Sequence, residues 1–337
     1  MKGALLVNLG SPNSTSTKDV RNYLDEFLMD KRVIDMPYLL RALLVKGIIL
    51  NTRPKKSAEA YKKIWWDEGS PLIVLSERLH EKVQKNSDVP VELAMRYGNP
   101  SIKSGIENLV SKGVNEIFLI PLYPQFAMAT TETIVVLANK IIKKQFSQVK
   151  LTDVPAFYNK KDYIEALGES IQESLDKTKP EHLLFSYHGV PERHIKKSDV
   201  TKSHCKIDGS CCNTPSRAHE FCYRHQCYET TKLVAEKLNL KEGTFSTSFQ
   251  SRLGRDPWLQ PYTDHTIDNF AKNGIKKLAV VTPAFVSDCL ETLEEIGMEA
   301  KHSFIENGGV EFSTIPCLND NEKWAKIVSE WINNWSK

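Results

Sequence analysis

The chain has 337 residues, of which 41% are hydrophobic and 26% charged, a composition typical of a globular protein and a length that suits two domains. Its 45 basic and 42 acidic residues leave a net charge of +3, which gives no indication of nucleic-acid binding. No apolar run reaches the ~20 residues that span a bilayer. The first ten residues already resemble a strand and a turn, so we expect a cytoplasmic protein.

Eight apolar runs, many rich in β-branched residues, predict β-strands. They cover residues 4–8, 91–95, 117–122, 151–156, 183–187, 245–249, 278–282 and 312–316. Segments with helical periodicity lie between several of them, for example 162–177 and 263–273. This alternation predicts parallel sheets with helices on both faces.

The two halves of the chain resemble each other. A Gly turn, two polar residues and a buried strand occur at 112–121 and again at 273–282, and each copy continues into a helix start, at 130–133 and at 291–294. The first strands also agree, since Asn8-Leu-Gly-Ser-Pro12 parallels Tyr187-His-Gly-Val-Pro191. The repeat therefore predicts two related four-stranded α/β units.

We expect these units to be two pseudo-symmetric domains. Residues 1–155, completed by a C-terminal helix at 319–337, form the first, and residues 156–318 form the second. Ligands of open α/β sheets bind where the strands end, so we expect the site in a cleft between the domains.

A row of carboxylates follows the strand at 278–282. Glu291, Glu295 and Glu299 are spaced by four, and no Lys or Arg lies among them. Residues four apart lie along one face of an α-helix and also of the wider π-helix. Such a row can hold a hard cation or accept protons, and the alternative is a solvated helix start that complements the helix dipole.

His188 ends the first strand of the second half, and Gly189 lets the backbone turn sharply after it. A His at this place can accept a proton near neutral pH or bind a metal. The repeat puts it at the same edge as the Glu291 row, so we expect both to face one cavity.

Other strand ends carry aromatic rings, a Met and Arg side chains, at 96–100, 123–128 and 250–261. These groups suit a large planar ligand with acidic substituents. The segment 38–50 is amphipathic and could touch a membrane surface, line an apolar opening or form a core helix. The absence of a phosphate-binding Gly motif argues against an NTPase or a dinucleotide-dependent oxidoreductase.

Five of the seven cysteines lie in an insert at 199–227. In a cytoplasmic chain this density indicates a metal or a cluster rather than disulfides. His219 or His225 could replace a thiolate, and a [2Fe–2S] cluster, zinc and reduced thiols all remain open.

The chain resembles the ferrochelatases, which insert Fe²⁺ into a porphyrin at the end of haem synthesis. The resemblance covers nearly the whole chain. Its most specific parts are Ser186-Tyr-His-Gly-Val-Pro, Gln250-Ser-Arg-Leu-Gly-Arg-Asp-Pro-Trp-Leu, Phe285-Val-Ser-Asp-Cys-Leu-Glu-Thr-Leu-Glu-Glu and Tyr123-Pro-Gln-Phe. It implies two flavodoxin-like, Rossmann-like domains with parallel four-stranded sheets, and a lyase acting on protoporphyrin IX or coproporphyrin III.

The resemblance also implies the roles of individual residues. His188 and Glu291 would hold Fe²⁺ and handle pyrrole protons, and Glu295 and Glu299 would continue a carboxylate path. The porphyrin would contact Leu9, Arg96, Tyr97, Tyr123, Met128, Trp258 and Phe285. A peripheral contact with the inner membrane and a homodimer stay open. The alternatives are a porphyrin or haem carrier without catalysis and a cobalt chelatase of the same fold.

Some bacterial ferrochelatases bind a [2Fe–2S] cluster, and the Cys-rich insert would hold one here. We expect the ligands Cys205, Cys212, Cys222 and Cys227, with Cys211 as the substitute for one of them. Cys289 lies beside the carboxylate row and is expected to be a spectator.

Overall fold

A computed structural model describes residues 1–252, 254 and 256–337. Leu253 and Arg255, which belong to the Gln250–Leu259 motif, lie outside the described residues. The contacts within the described part divide it into two compact units. Unit 1 comprises Met1–Leu122, Met128–Pro155 and Asn319–Lys337, and unit 2 comprises Tyr123–Ala127 and Ala156–Leu318.

Unit 1 is built on a parallel sheet with the strand order β2-β1-β3-β4. Its strands are β1 (Lys2–Asn8), β2 (Val91–Met95), β3 (Glu116–Pro121) and β4 (Lys150–Asp153). The central strand β1 is buried on both faces, and Ala4, Leu5, Leu6 and Val7 are all 0% exposed. A strand with two covered faces requires a continuous apolar run, as the sequence has here.

The helices of unit 1 surround this sheet. Along the chain they are α1 (Thr17–Leu28), α2 (Tyr38–Ala42), α3 (Leu50–Ile64), α4 (Pro71–Lys85), α5 (Ile102–Ser111) and α6 (Thr133–Gln145). Two π-helices, Leu43–Ile49 and Met128–Glu132, run directly into α3 and α6. The α1 helix begins at Ser16, whose hydroxyl accepts the Asp19 N–H in a standard N-cap.

Unit 2 repeats the same topology in the order β6-β5-β7-β8, again all parallel. Its strands are β5 (His182–His188), β6 (Phe245–Gln250), β7 (Lys277–Val281) and β8 (Glu311–Ile315). Its α-helices are α7 (Lys161–Thr178), α8 (Glu192–Ser198), α9 (Tyr223–Lys237), α10 (Thr263–Lys272) and α11 (Lys301–Glu306). Short 3₁₀ turns at Ser210–Asn213 and Arg217–Phe221 lie in the Cys-rich insert, and a π-helix spans Glu291–Ala300.

The last helix, α12 (Glu322–Ser336), belongs to unit 1. Its Trp324 is fully buried, and Trp335 stacks on Phe118 of β3 with 4.9 Å between ring centroids. The Lys2 ammonium of β1 donates to the carbonyls of Trp335 and Ser336, each at 3.1 Å. The Trp side chains of α12 therefore form a packing surface of unit 1.

The predicted α/β fold with parallel four-stranded sheets is confirmed. Each predicted strand overlaps an observed one, although β4 ends at Asp153 and not at Ala156. The segment after Asp153 contains Pro155, which has no N–H to continue the ladder. Across the described residues, we found no helix with the length and apolarity needed to cross a membrane.

Candidate active site

His188 is the last residue of β5 and is half-buried. Its ring Nδ1 lies 2.6 Å from the Gly189 carbonyl. Because a carbonyl only accepts, Nδ1 carries the proton in the neutral ring and Nε2 keeps a lone pair. The backbone carbonyl of His188 accepts a 2.8 Å hydrogen bond from the Tyr223 hydroxyl of α9, which fixes the strand end.

Gly189 brings β5 and β6 close together at this point. Its N–H donates to the Gln250 carbonyl at 2.7 Å, and a Cβ at Gly189 would lie 2.8 Å from that same oxygen. The glycine is thus needed for close backbone approach, which differs from the sharp turn expected from the sequence.

Two aromatic rings flank the imidazole of His188. The Trp258 ring centroid lies 6.4 Å from it and the Phe285 centroid 6.2 Å, and both rings are half-buried. An imidazole between two partly open aromatic surfaces suits a flat apolar ligand.

The carboxylates Glu291, Glu295 and Glu299 all lie on the π-helix that follows β7. Glu291 and Glu295 are half-buried and Glu299 is exposed, so the row runs from the interior of unit 2 to solvent. π-helical turns are rare and are frequent at functional sites. The alternative of a solvated α-helical start does not describe this segment.

Glu295 is held by the residue that follows β6. The Ser251 N–H donates to its Oε1 at 2.8 Å, and the Ser251 hydroxyl donates to its Oε2. Burial raises the pKa of Glu295 above its ordinary value, against the lowering effects of the Ser251 hydroxyl and of the charge on His188. The charge of Glu291 raises that pKa further, so Glu295 interacts electrostatically with both His188 and Glu291.

Cys289 lies two residues before Glu291, the first carboxylate of the row, and is buried. Burial, and after it the charge of Glu291, raises the pKa of its thiol well above the usual value. A protonated thiol is a poor metal ligand, which agrees with the expected spectator role.

A cavity of about 370 Å³ opens on the same π-helix. Glu295 and Glu299 form part of its wall, together with polar groups that include Arg252, Tyr262 and Ser303. The lower part of the carboxylate row is therefore accessible to water and small ions.

In unit 1, Arg96 and Tyr97 are engaged with Asp30. Asp30 Oδ2 accepts hydrogen bonds from the Arg96 guanidinium, from Thr133 Oγ1 at 2.5 Å and from the Tyr97 hydroxyl at 3.1 Å. Although burial alone raises it, hydrogen bonds from Thr133 and Arg32 and the charge of Arg96 lower the pKa of Asp30. The Tyr97 ring is 0% exposed, and Arg96 is half-buried.

The remaining residues predicted to contact the porphyrin are spread over both units. Leu9 and Met128 of unit 1 are half-buried, and Met128 begins a π-helix. Tyr123 of unit 2 is 5% exposed. Of the predicted aromatic contacts, the structure brings Trp258 and Phe285 next to His188.

Four thiols of the Cys-rich insert lie close together. The Cys222 thiol affects the pKa values of both Cys205 and Cys212, and burial raises the pKa of Cys205 to about 11. Cys211 Sγ accepts from the Lys206 N–H at 3.2 Å and from Arg224 at 3.6 Å. N–H and guanidinium donors aimed at sulfur stabilise the thiolate form of Cys211.

Cys227 lies on α9 and is 0% exposed. The pKa of its thiol is raised well above the usual value by burial, and those of Cys205 and Cys212 are raised as well. The choice between Cys211 and Cys227 as a ligand therefore stays a prediction.

The three histidines of the insert point to carbonyl groups. His219 stacks on His225 with 3.6 Å between centroids, and His204 Nε2 and His219 Nε2 each lie near the Cys211 carbonyl, at 3.2 and 3.3 Å. His225 Nδ1 lies 2.9 Å from the Cys212 carbonyl.

Residues 1–252, 254 and 256–337 contain no group of three His, Cys, Asp or Glu side chains arranged to hold a metal ion.

Solved structures share this fold. SirB from Bacillus subtilis with Fe³⁺ superposes with a TM-score of 0.54 at 13% identity, over 98% of this chain and 95% of that one. The sirohydrochlorin chelatase SirB from Bacillus subtilis subspecies spizizenii, in complex with cobalt, gives 0.53 at 11% identity with the same coverage. The fold is thus that of the chelatases.

The sequence comparisons are more specific. The ferrochelatase family model matches residues 1–335. A ferrochelatase of Pseudomonas fluorescens is 50% identical over 96% of this chain and 95% of its own length, and one of Opitutus terrae is 47% identical over 99% and 97%. The chain belongs to the ferrochelatase family, as the resemblance in its motifs implied.

Sequence reasoning missed several residues that shape the site. Ser251, Tyr223 and Arg224 position Glu295, His188 and Cys211, respectively. Ser251 lies inside a motif that was recognised as a whole, but its spacing gives no sign of its partner. The contacts of Arg224 and Tyr223 depend on the path of the insert, which the sequence does not reveal.

Proposed function

We propose that this chain is a ferrochelatase that inserts Fe²⁺ into a porphyrin, with His188 and Glu291 as the residues that meet the metal and the pyrrole protons. The placement of His188 between Trp258 and Phe285, in electrostatic contact with the carboxylate row, carries this proposal. Membership of the ferrochelatase family supports it.

The reaction exchanges two pyrrole protons for one Fe²⁺ ion, which must lose its bound water. His188 Nε2 keeps a lone pair and can take up a pyrrole proton. Glu291 offers hard oxygen ligands to the Fe²⁺ ion while the ion still carries bound water. Glu295 and Glu299 extend negative charge towards solvent, which favours both arrival of the cation and departure of protons.

Binding must also bend the macrocycle so that nitrogen lone pairs point towards the metal. Strain of this kind is supported by contacts remote from the reacting atoms. We assign these contacts to Trp258 and Phe285, with Leu9, Met128 and Tyr123 as further apolar groups. Arg96 is the candidate for a propionate, with Asp30 and Tyr97 setting its direction.

The direct test is absorbance of purified protein with Fe²⁺ and either protoporphyrin IX or coproporphyrin III. Formation of the metalloporphyrin is expected with at least one of them, and the ratio of the two rates identifies the substrate. Porphyrin binding without metalloporphyrin would instead support a carrier. Activity confined to Co²⁺ would support a cobalt chelatase.

We further propose that the insert holds a [2Fe–2S] cluster with Cys205, Cys211, Cys212 and Cys222 as ligands. The mutual contacts of these thiols and the donors from Arg224 and Lys206 support this set. Such a cluster accepts or donates one electron when bound. The Asp199 carboxylate accepts the N–H groups of His204 and Cys205, both at 2.9 Å, and so shapes the loop that presents Cys205.

Matched Cys→Ser variants test the ligand set. Cys211→Ser should lose visible charge-transfer absorption, iron and labile sulfide, whereas Cys227→Ser should keep all three. The reverse result would restore Cys227 as the ligand. Colourless anaerobic wild-type protein without labile sulfide would remove the cluster altogether.

We also propose that the segment Met36–Ile48 makes a peripheral membrane contact. Its large apolar side chains are exposed, with Leu39 at 79% and Leu43 at 68%. Burying such groups in a lipid interface is favourable by about 25 cal/mol per Å² of apolar surface. Co-sedimentation with phosphatidylethanolamine–phosphatidylglycerol vesicles should weaken in Leu39→Ser/Leu43→Ser and stay unchanged in Val310→Ser, whose side chain is also 68% exposed.

A further inference from the structure

Gln250, the last residue of β6, and Ser251, which follows it, form hydrogen bonds with two consecutive turns of the π-helix of unit 2. Gln250 is 3% exposed, and its Nε2 donates to the Glu291 carbonyl at 3.3 Å while its Oε1 accepts from Ser186 at 2.7 Å. Ser251 then donates through both its N–H and its hydroxyl to the two carboxylate oxygens of Glu295. Neighbouring residues thus fix the helix backbone and one of its carboxylates.

Ser251 adopts a backbone conformation that serine rarely takes. Its φ is 66°, in the left-handed region that favours glycine. In this conformation the N–H and the hydroxyl point to the same carboxylate, so the local strain is offset by two hydrogen bonds to a charged group. Strained residues that the surrounding structure holds in place are concentrated at functional sites.

We propose that Ser251 is a positioning residue for metal insertion: it fixes the Glu295 carboxylate beside His188, so that Glu295 supplies a stationary negative charge while Glu291 is left to meet the metal. This inference rests on the proposed function of the row. It divides the three carboxylates by their surroundings, since Glu295 has both oxygens occupied and Glu299 is exposed to the cavity.

The division of roles follows from simple coordination chemistry. A carboxylate that accepts a hydrogen bond on each oxygen still has one lone pair left on each, but it cannot turn towards an arriving cation without breaking those bonds. The same bonds keep its charge in one place, and preorganised charge beside reacting atoms lowers a barrier without changing how tightly the free metal binds. Loss of the Ser251 hydroxyl should therefore reduce kcat more than it changes the KM for Fe²⁺.

The decisive variant is Ser251→Gly, because it keeps the N–H donor, fits the left-handed backbone and removes only the hydroxyl. We expect kcat to fall about tenfold, the size of one hydrogen bond to a charged group, with the KM for Fe²⁺ within about twofold. Glu295→Gln should lower kcat at least as much. The double variant Ser251→Gly/Glu295→Gln should be no slower than Glu295→Gln, because Ser251 acts through Glu295.

Two further variants exclude a purely structural role. Asn239→Gly places glycine at another left-handed position of unit 2, with φ 50°, and should leave kcat unchanged. Ser251→Asn tolerates the backbone and offers an amide donor, so it should recover part of the lost kcat. A normal kcat in Ser251→Gly, or losses that multiply in the double variant, would overturn the role of Ser251.

Glu291→Gln in the same series separates this inference from the proposed function. An inactive Glu291→Gln with normal Ser251→Gly means that the row acts as proposed and that only Ser251 was misassigned. An active Glu291→Gln removes the proposed role of the row, and the inference falls with it.

Discussion

The two units place a π-helix at the same point of their topology, after the third strand along the chain of each sheet, and use it differently. In unit 1 the helix Met128–Glu132 leads to Thr133, whose hydroxyl joins Asp30 and the Arg96 guanidinium in one hydrogen-bonded group. In unit 2 the helix Glu291–Ala300 carries three carboxylates, and the donor that meets Glu295 is the neutral Ser251. The same backbone device supports a neutralised ion pair in one unit and an acidic row in the other.

The contrast shows what makes a site in a duplicated fold. Asp30 forms an ion pair with Arg96, and the two side chains are only 6% and 13% exposed. The negative charge of Asp30 is therefore neutralised within the protein. Among residues 1–252, 254 and 256–337, no Lys or Arg forms an ion pair with Glu295, and burial raises the pKa of this carboxyl above its ordinary value.

The largest effect is expected for Glu291→Gln. Removing the negative charge at this proposed metal ligand should lower kcat/KM for Fe²⁺ by about 10³-fold. Stopped-flow or steady-state absorbance of metalloporphyrin formation measures it, and porphyrin fluorescence quenching checks that the ligand still binds. Near-normal turnover of Glu291→Gln would contradict the proposal that the π-helix of unit 2 takes part in metal insertion.

Asp30→Asn should be the most destabilising change of charge in the comparison. It leaves the largely buried Arg96 without its partner, which costs about 3 kcal/mol of unfolding free energy. Glu295→Gln should change the unfolding free energy by less than about 1 kcal/mol, because no Lys or Arg in the described part of the chain loses an ion-pair partner. Urea unfolding followed by circular dichroism compares the two, and equal losses would contradict the contrast.

The pH dependence of stability should have opposite signs in the two units. The pKa of Asp30 is lowered by folding, so its contribution is complete above about pH 3.9 and is lost as the pH falls through its folded value. The pKa of Glu295 is raised, so the stabilisation from its protonated form is complete below about pH 4.3 and is lost as the pH rises through its folded value.

Unfolding of wild type, Asp30→Asn and Glu295→Gln between about pH 3 and about pH 7 measures these slopes. Asp30→Asn should remove a loss of stability on acidification, and Glu295→Gln should remove a loss on going to neutral pH. Curves that stay parallel to wild type in both variants would show that neither carboxylate is perturbed as described.

The smallest effect is expected for Glu132→Gln on the π-helix of unit 1. Its ion pair with Arg32 is partly open to solvent, with side-chain exposures of 32% and 17%, so the loss should be about 0.5 kcal/mol. Metal insertion should be unchanged. A loss of activity comparable with that of Glu291→Gln would mean that the first π-helix also takes part in the reaction.

Much of the fold follows from local signals in the sequence. The runs at 4–8 and 278–282 are long and β-branched because they are central strands with both faces covered, and the Gly turns before β3 and β7 reveal the repeat. His188 and Glu291 could be named because strand ends gather at one edge. The sequence did not distinguish a π-helix from an α-helix for the Glu291 row, because residues four apart share a face in both kinds of helix.

Other features depend on contacts that spacing does not encode. The burial of Tyr97 follows from a bond to Asp30, 67 residues away in the chain. Which of five sulfurs face one another in the insert depends on two short 3₁₀ turns and on Arg224. The left-handed backbone of Ser251 has no signature, because serine is not a residue that predicts it.

The position of α12 has a consequence for the order of synthesis. Unit 1 takes its final helix from residues 319–337, which leave the ribosome after all of unit 2. Until then the Phe118 ring on β3 lacks the Trp335 surface that covers it, and Lys2 lacks the carbonyls it binds. At about 5–20 residues per second, translation of residues 156–318 leaves unit 1 incomplete for roughly 10 to 30 seconds. The part of the protein made first is thus the last to be finished, and nascent unit 1 is where we expect chaperones to bind.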